Sequence, residues 1–354
     1  MAERASGQDR VGGIYRARAP LRLGLAGGGT DLSPYSDLYG GAVLNVTIDR
    51  FAFASLALRT DDLVIFRAHD LGVEEQCMSS QMPTESALAL HRAVYNRMLR
   101  QFFDGCRIGL ELSSAIEAPP GSGLGSSSAL VVALVEAFRE AFDLPLGLYD
   151  VAHIAFEIER IELGMVGGKQ DQYAAAFGGV NFIEFLPNDR VIVNPLRIAP
   201  AILNELQSSI VVCFSGQSRD SEAIIRCQIE GISIGGSETL AGLHALKQDA
   251  LDMKQALLRG DIRQLAAILD HSWANKKITA RSVSNSAIER LYEVGRANGA
   301  KAGKISGAGG GGFMMFIVDP QDKPRLVRGL QAVGGVPDKV VFTHQGVESW
   351  RVPG

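Results

Sequence analysis

Several familiar devices for holding phosphate, metal or lipid are missing from this chain of 354 residues. It contains no Gly-x-x-x-x-Gly-Lys-Ser/Thr segment, which excludes the P-loop and its phosphate-reaching lysine. The four cysteines, Cys77, Cys106, Cys213 and Cys227, include no Cys-x-x-Cys pair, and the six histidines are scattered without zinc-ligand spacing. Reduced, mostly buried thiols are expected, and no histidine is assigned to catalysis. Residues 129–135 form the longest apolar stretch, which Glu136 ends far short of the ~20 residues a membrane helix needs. Residues 1–13 are polar and lack the apolar segment of a secretory leader, so a cytoplasmic location and no membrane partner are expected. A net charge of −4 leaves no basic footprint for nucleic acid. No repeat of solenoid period is present.

What the chain does have is glycine, 40 residues of it, gathered where chemistry could use it. Pro120, Gly121, Ser122, Gly123, Leu124, Gly125, Ser126 and Ser127 run directly into a helix-forming segment. Glycines let successive amide N–H groups turn toward one anion at a helix start, where the dipole also favours negative charge. A second bend, Gly167-Gly168-Lys169-Gln170-Asp171, ends in a carboxylate. A third segment runs Gly307-Ala308-Gly309-Gly310-Gly311-Gly312 between Ser306 and an apolar run. Together they suggest a phosphoryl-transfer site assembled from distant parts of the chain. Helix capping is the alternative for the serines, and capping and ligation can coexist.

The length exceeds what one hydrophobic core usually serves, so two domains are expected. Strands are predicted at 14–26, at 42–58 as a pair meeting in a hairpin at Asp49-Arg50, and at 64–69, 107–113 and 179–185. Helices are predicted at 32–39, 86–103, 126–142 and 148–162. Pro187, Asn188, Asp189, Pro195 and Pro200 crowd turn residues together and discourage a continuous element. The boundary is placed there, giving domains of 1–195 and 196–354. Beyond it come strands at 209–214, 302–305 and 313–318, and helices at 221–228, 239–259, 262–277 and 286–298. Mixed rather than alternating strand and helix runs indicate an α+β fold.

With Ala19-Pro20-Leu21-Arg22 and Gly28-Gly29-Thr30-Asp31, these glycine-rich segments resemble, in order and over almost the whole chain, the motifs of the GHMP kinases. That resemblance implies a ribosomal protein S5 domain 2-like N-terminal domain followed by an α+β C-terminal domain, with ATP and Mg²⁺ as cofactors. It implies that Ser127 and Glu159 hold the metal, Glu159 being chosen by its distance in sequence from Asp171. Residues two apart share no helical face, so Glu157 and Glu159 cannot both point at one ion, and Glu162 is expected on a solvated face. Asp171 is implied as general base or orienting acceptor for the substrate hydroxyl; an ordinary carboxyl pKa of about 3.9 is low for proton abstraction, and both roles stay open. Arg22 is implied beside it, keeping the carboxylate ionised and offsetting phosphoryl charge. Gly28, Gly29, Thr30 and Asp31 are implied at the substrate, with capping of the following helix as the other reading of Asp31. Gly309 and Gly310 are expected close to phosphates or substrate.

Ala26-Gly27-Gly28-Gly29-Thr30-Asp31 departs from the Gly-Glu-His form of mevalonate kinases and galactokinases. Taken with residues 168–179 and Ser215-Gly216-Gln217-Ser218-Arg219, it resembles the D-glycero-D-manno-heptose 7-phosphate kinase branch, which implies phosphorylation of the anomeric C1 hydroxyl of a sugar phosphate. A kinase for a neutral sugar such as fucose, or a silent sugar-phosphate sensor, are the alternatives. A substrate phosphate needs cations; Arg219 is the first choice, then Lys276, Lys277 and Arg281. The expected partners are ATP and a small sugar phosphate, and a homodimer is left open.

Overall fold

In the computed structural model, residues 12–216 and 221–353 are described. Arg219 and residues 1–11 lie outside them. Two antiparallel-rich sheets organise the chain. The first has eight strands in the order β12(Glu348–Arg351), β1(Ile14–Ala26), β2(Gly41–Leu58), β5(Leu110–Ile116), β3(Leu63–Ala68) and β4(Val73–Met78), with β6(Val180–Leu186) on β2 and β7(Arg190–Pro195) on β6. The second runs β11(Val336–Asp338), β8(Ile210–Phe214), β10(Phe313–Val318) and β9(Ala300–Ile305). This is the α+β arrangement expected. The 195/196 division separates the two sheets except at the C-terminal end, where Tyr15 pairs with Arg351 and Arg18 with Glu348.

The predicted hairpin at Asp49-Arg50 is instead a bulge in one long strand. Pro20 lies opposite Phe51 and Leu21 opposite Ile48, so two residues of β2 have no partner on β1. Pro20 has no N–H to give the ladder, which makes this the weak point of the pairing. The bulge also falls where β2 changes its other neighbour, from β6 along residues 41–46 to β5 along residues 52–58. Around the sheets pack α1(Tyr35–Tyr39), α2(Ala89–Phe102), α3(Ser126–Phe142), α4(Leu148–Phe156) and α5(Gln170–Phe177). The second half adds α6(Pro200–Ser209), α7(Ser221–Ser233), α8(Ser237–Arg259), α9(Ile262–Thr279), α10(Ser286–Ala297) and α11(Lys323–Ala332). Pro200 was read as a breaker, yet it stands at the first helical position of α6, where a missing N–H costs nothing. The helix expected at 148–162 is α4 followed by six residues of π-helix, Glu157–Glu162.

Helix α3 is buried on every side along residues 128–138, almost all of them apolar, and lies over β1 and β2, as expected when both its faces are covered. Among the described residues no helix is long and apolar enough to cross a membrane. The two halves meet most closely through glycines. Gly123 has φ +75, and a Cβ there would stand 2.5 Å from the Ser306 carbonyl oxygen; one on Gly307 would stand 2.8 Å from Gly123 Cα. Phe313 N–H donates to the Ser122 carbonyl at 2.9 Å, so the loop before α3 and the loop before β10 are joined backbone to backbone. Gly123→Ala should therefore lower the unfolding midpoint by a loss of about 1–3 kcal/mol, more than Gly105→Ala, whose φ is +73 but whose Cβ would meet open space. Equal losses in chemical denaturation would show that only the backbone angle matters and not the contact between loops.

Candidate active site

Strand β1 carries Arg22 inward and the first turn of α5 carries Asp171 toward it. Arg22 is buried, and its Nε donates to Asp171 Oδ1 at 2.7 Å with Nη2 at 2.6 Å from the same oxygen. Its Nη1 donates to the Gly123 carbonyl at 2.6 Å. One guanidinium thus ties the acid to the loop that precedes α3. Both arginine contacts fall on Oδ1. The other oxygen faces that loop, 3.3 Å from where a Cβ on Gly125 would stand, so glycine here gives the carboxylate room beside the helix start.

Loop residues Gly121, Gly123, Gly125, Ser126 and Ser127 line a cavity of about 500 Å³ together with Arg22, Gly28, Gly29, Asp31, Gly168, Asp171 and Gly307. Pro120 is exposed, while Ser122 and Leu124 are buried and outside that lining. The N-cap of α3 is Gly125 in the left-handed region, with no side-chain cap. The expected serine capping does not occur, and the first N–H groups of α3 are left for another acceptor. Ser127 Oγ instead donates to Glu159 Oε1 at 3.1 Å. Glu159 is fully buried, and its second oxygen accepts from Gln172 Nε2 at 2.5 Å. Ser128 Oγ accepts from Gln172 Nε2 at 3.1 Å and from Arg160 Nη2 at 3.4 Å. Glu157 and Glu162 turn the other way. They pair with Arg97 at 2.5 and 2.7 Å, and Glu162 is held in an ion pair rather than simply solvated.

Asp31 is buried. It accepts from the Gly29 N–H at 3.2 Å, the Gln170 N–H at 3.1 Å and Gln170 Nε2 at 3.1 Å. It does not cap the short helix, whose N-cap is Pro34. Burial pushes its carboxyl above the usual range, the nearby Asp171 charge adds to this, and the donated N–H bonds oppose it. Gly168 touches the Asp31 carboxylate so closely that a Cβ there would overlap it. Thr30 has a different job from the one expected. Its buried hydroxyl lies 2.8 and 2.9 Å from the Gly27 and Ala42 carbonyls, to either of which its one proton can be donated, and accepts from the Ala42 N–H at 3.0 Å, locking the loop to β2. Gly309 and Gly310 are also off the cavity, packed on the turn at Val283, whose carbonyl accepts from Gly310 N–H at 2.7 Å. Gly307 and Ala308 take that place.

Of the basic residues proposed for a substrate phosphate, Lys276 alone lines the cavity among those described. Its buried Nζ donates to the Gly307 carbonyl and would lie 3.6 Å from a Cβ on Gly28. Burial pulls its pKa down to about 8, helped by Arg22 and opposed by Asp31 and Asp171. Lys277 pairs with Glu289 at 3.2 Å, and Arg281 is exposed. Behind Lys276, Lys304 donates to the Gly24 and Leu25 carbonyls at 2.9 and 3.2 Å, and burial holds its pKa well below the usual lysine value. Arg160 and Gln172 were not singled out from the sequence. The signal was present, since Gln172 sits one residue past Asp171 and Arg160 beside Glu159, but nothing linear shows that they converge.

Residues 89–179 match the family described as the GHMP kinases N terminal domain, and residues 253–335 match the GHMP kinases C terminal domain. The chain is 45% identical to the D-glycero-alpha-D-manno-heptose 7-phosphate kinase of Campylobacter jejuni over 95% of this chain and 99% of that one. The crystal structure of a D-glycero-D-manno-heptose 1-phosphate kinase from Bacteroides thetaiotaomicron is similar with a TM-score of 0.82 and 40% identity, covering 96% of this chain and 100% of that one. A bifunctional fucokinase/GDP-fucose pyrophosphorylase of Arabidopsis thaliana is 26% identical over 90% of this chain, which spans 31% of that protein. A cavity walled by a glycine loop at a helix start, a carboxylate held by a buried arginine, and an end-to-end relative of this identity lead to one conclusion: the chain belongs to the GHMP kinase family and is a phosphotransferase.

Proposed function

We propose that the protein transfers the γ-phosphoryl group of Mg·ATP to the anomeric C1 hydroxyl of D-glycero-D-manno-heptose 7-phosphate, giving the 1,7-bisphosphate and ADP. This is a cytoplasmic step toward nucleotide-activated heptose for surface polysaccharide. The observation that carries the reading is the Arg22–Asp171 pair set against Gly125 at the uncapped start of α3. Polyphosphate oxygens accept from the loop and helix N–H groups. The sugar hydroxyl meets Asp171, which orients it and accepts its proton as the new oxygen–phosphorus bond forms and the bond to the bridging oxygen of ADP breaks. Asp31, on the cavity wall, would accept from a sugar hydroxyl through the carboxylate lone pairs that its three N–H donors leave free. The names of the two heptose kinases differ in the position of the phosphate but agree on a heptose phosphate. Lys276 on the Gly28 side of the cavity supports an anionic sugar over a neutral one. The nucleotide base fits a separate apolar cavity of about 310 Å³, which shares Met165 with the first and includes Leu71, Leu88, Ile116 and Leu130.

Ser127 Oγ and Glu159 Oε1, both hard oxygens 3.1 Å apart beside the loop, fit Mg²⁺. Among the described residues no group of three or more His, Cys, Asp or Glu could hold an ion by itself. That suits a metal bound by one or two protein oxygens with phosphates and waters completing the shell. The ion would supply neutralisation of the nucleotide phosphates. The fucokinase likeness over 90% of the chain favours the second reading, a neutral-sugar kinase.

A coupled assay over heptose 7-phosphate, heptose and fucose, each with ATP, separates the readings. Turnover is expected with heptose 7-phosphate, and preference for an unphosphorylated sugar would install the second reading. Asp171→Asn should then cut kcat by roughly 10²-fold or more while nucleotide binding survives; an unchanged kcat would remove Asp171 from the mechanism.

Ser127→Ala and Glu159→Gln should each raise the Mg²⁺ concentration for half-maximal rate. Ser127 caps nothing, but its hydroxyl donates to the buried Glu159 carboxylate, so its alanine variant should also melt somewhat lower, with a loss of about 1–3 kcal/mol, and the Mg²⁺ titration is read on protein shown to be folded. Superimposable Mg²⁺ titrations would refute the ligand assignment.

The depressed pKa of Lys276 gives a pH test. Its charge is present below about 8 and lost above, so kcat/KM for the sugar phosphate should fall as pH rises through that value. Stability moves oppositely, because between about 8 and the ordinary lysine pKa the unfolded chain binds more protons, so this group's contribution to stability rises with pH across that window. Lys276→Met should lower kcat/KM at pH 7 by about 10- to 150-fold, the scale of a charge-assisted contact, and flatten the profile. A wild-type profile level up to pH 9 would show that the charge is not used.

A further inference from the structure

We propose that Arg160 is a catalytic residue whose guanidinium takes up charge on the phosphoryl group in transit; the inference rests on the transfer reading above. Arg160 sits in the π-helical stretch Glu157–Glu162, its side chain 13% exposed, and lines the cavity beside Ser126 and Ser127. The π-turn is clamped from outside by α2, with Arg97 on Glu157 and Glu162 and Arg100 on Glu162 at 2.9 Å. Its inner side presents two neighbours in sequence, Glu159 to Ser127 and Arg160 to the cavity wall. Single π-turns of this kind commonly mark places where a helix is reshaped to aim side chains.

The cations of this cavity are not equally committed. Arg22 is bound to Asp171 and the Gly123 carbonyl within 2.7 Å, and Lys276 is held by the Gly307 carbonyl. Arg160 is held only loosely, with Nε 3.3 Å from the Gly168 carbonyl, Nη2 3.4 Å from Ser128 Oγ, and the nearest carboxylate, Glu159, at 3.9 Å. A guanidinium has five N–H donors in a rigid fork that matches phosphate oxygens. Here most of them lack a short partner.

Gly167 shows that the position is built. A Cβ on Gly167 would stand 2.5 Å from Arg160 Cζ, 2.7 Å from Nη2 and 2.8 Å from Nε, so the guanidinium lies flat on that residue's backbone. Gly167 is not among the glycines with positive φ. Its backbone angle does not call for glycine, whereas the seat of Arg160 does. The seat lies beside Ser128 and Glu159, next to the residues that the transfer reading gives to the metal and to the start of α3, where that reading puts the nucleotide phosphates. This placement favours the transferring phosphoryl group over the phosphate of the sugar.

The test compares wild type, Arg160→Ala, Arg160→Lys and Gly167→Ala. Wild-type turnover is measured first, since its absence defeats the transfer reading itself, whereas an undiminished kcat in Arg160→Ala defeats this inference alone. Arg160→Ala should lower kcat about 10³-fold, the lower scale for an arginine acting on a phosphoryl group in flight, with KM for heptose 7-phosphate within about twofold. Binding of Mg·ADP with aluminium fluoride and the sugar phosphate should weaken by a similar factor while Mg·ADP alone is unaffected. Arg160→Lys should recover only part of the rate. Gly167→Ala keeps the arginine but removes its seat, should fold because only a mobile side-chain end must move, and should lose kcat in the same direction. A rise in KM for heptose 7-phosphate at constant kcat would assign Arg160 to the sugar's own phosphate and overturn the proposal. So would equal loss of ADP and aluminium fluoride complexes, or wild-type behaviour of Gly167→Ala.

Discussion

The contact on which the site depends is backbone against backbone. Gly123 and Ser306-Gly307 approach until there is no room for a Cβ on either side, and Ser306 Oγ and Arg22 Nη1 both donate to the Gly123 carbonyl, at 3.1 and 2.6 Å. Close packing of this kind has few alternative arrangements, because the atoms in contact are backbone, which cannot rotate away as a side chain can. It joins a loop of the first sheet to one of the second. Arg22 then carries the constraint from that joint to Asp171, so the acid is placed by the union of both halves of the chain. Lys276 repeats the theme from α9 by bonding the Gly307 carbonyl. These two cations thereby occupy the carbonyls of the loops on both sides of the joint.

Buried charge is the second organising fact. Arg22, Asp31, Glu159, Lys276 and Lys304 are all buried, and charges in such places persist only when bonded or neutralised. Each has its partner: Asp171 for Arg22, three N–H donors for Asp31, Ser127 and Gln172 for Glu159, and loop carbonyls for the lysines. The opposed shifts of Asp31 and Lys276, one raised and one lowered, follow from one cause, the loss of water around both. Arg160 differs in holding neutral acceptors at long range. The result is a division of labour in which the tightly bonded groups fix geometry and the loosely bonded one keeps donors for a reacting group.

Linear sequence determined a good deal. The glycine loop before α3, the carboxylate of Asp171 after its glycine bend, the apolar strand at residues 313–318 and the long helices of the second half follow from local rules, since each needs only its own residues to be recognised, whereas the pairing of Asp171 with Arg22 came from the family resemblance. Thr30 shows the limit. Next to Asp31 in one motif, it looked like a substrate contact, but its hydroxyl bonds Gly27 and Ala42, an outcome set by how β2 returns past the loop. Asp49-Arg50 likewise read as a hairpin, because nothing local reveals that Pro20 lies opposite and turns the spot into a bulge. Helix capping by the serines failed for a related reason, with Ser127 and Ser128 drawn to Glu159 and Gln172 on other elements.

The sequence by itself therefore settled which chemical groups were available, two glycine-rich loops, a carboxylate and an arginine on a strand, because those depend on residue identity and short-range geometry. Only the tertiary structure decided which groups face one another. Arg22 and Asp171 are 149 residues apart in the chain, and Arg22 and Ser306 are 284 apart. Between a residue and its partner at that range stand many turns whose angles are fixed by packing rather than by local preference. Arg160 was legible only as one charge among many until Gly167, Ser128 and Glu159 closed around it, since a cation's role is set by the distance to its nearest acceptors and that distance exists only in the folded chain.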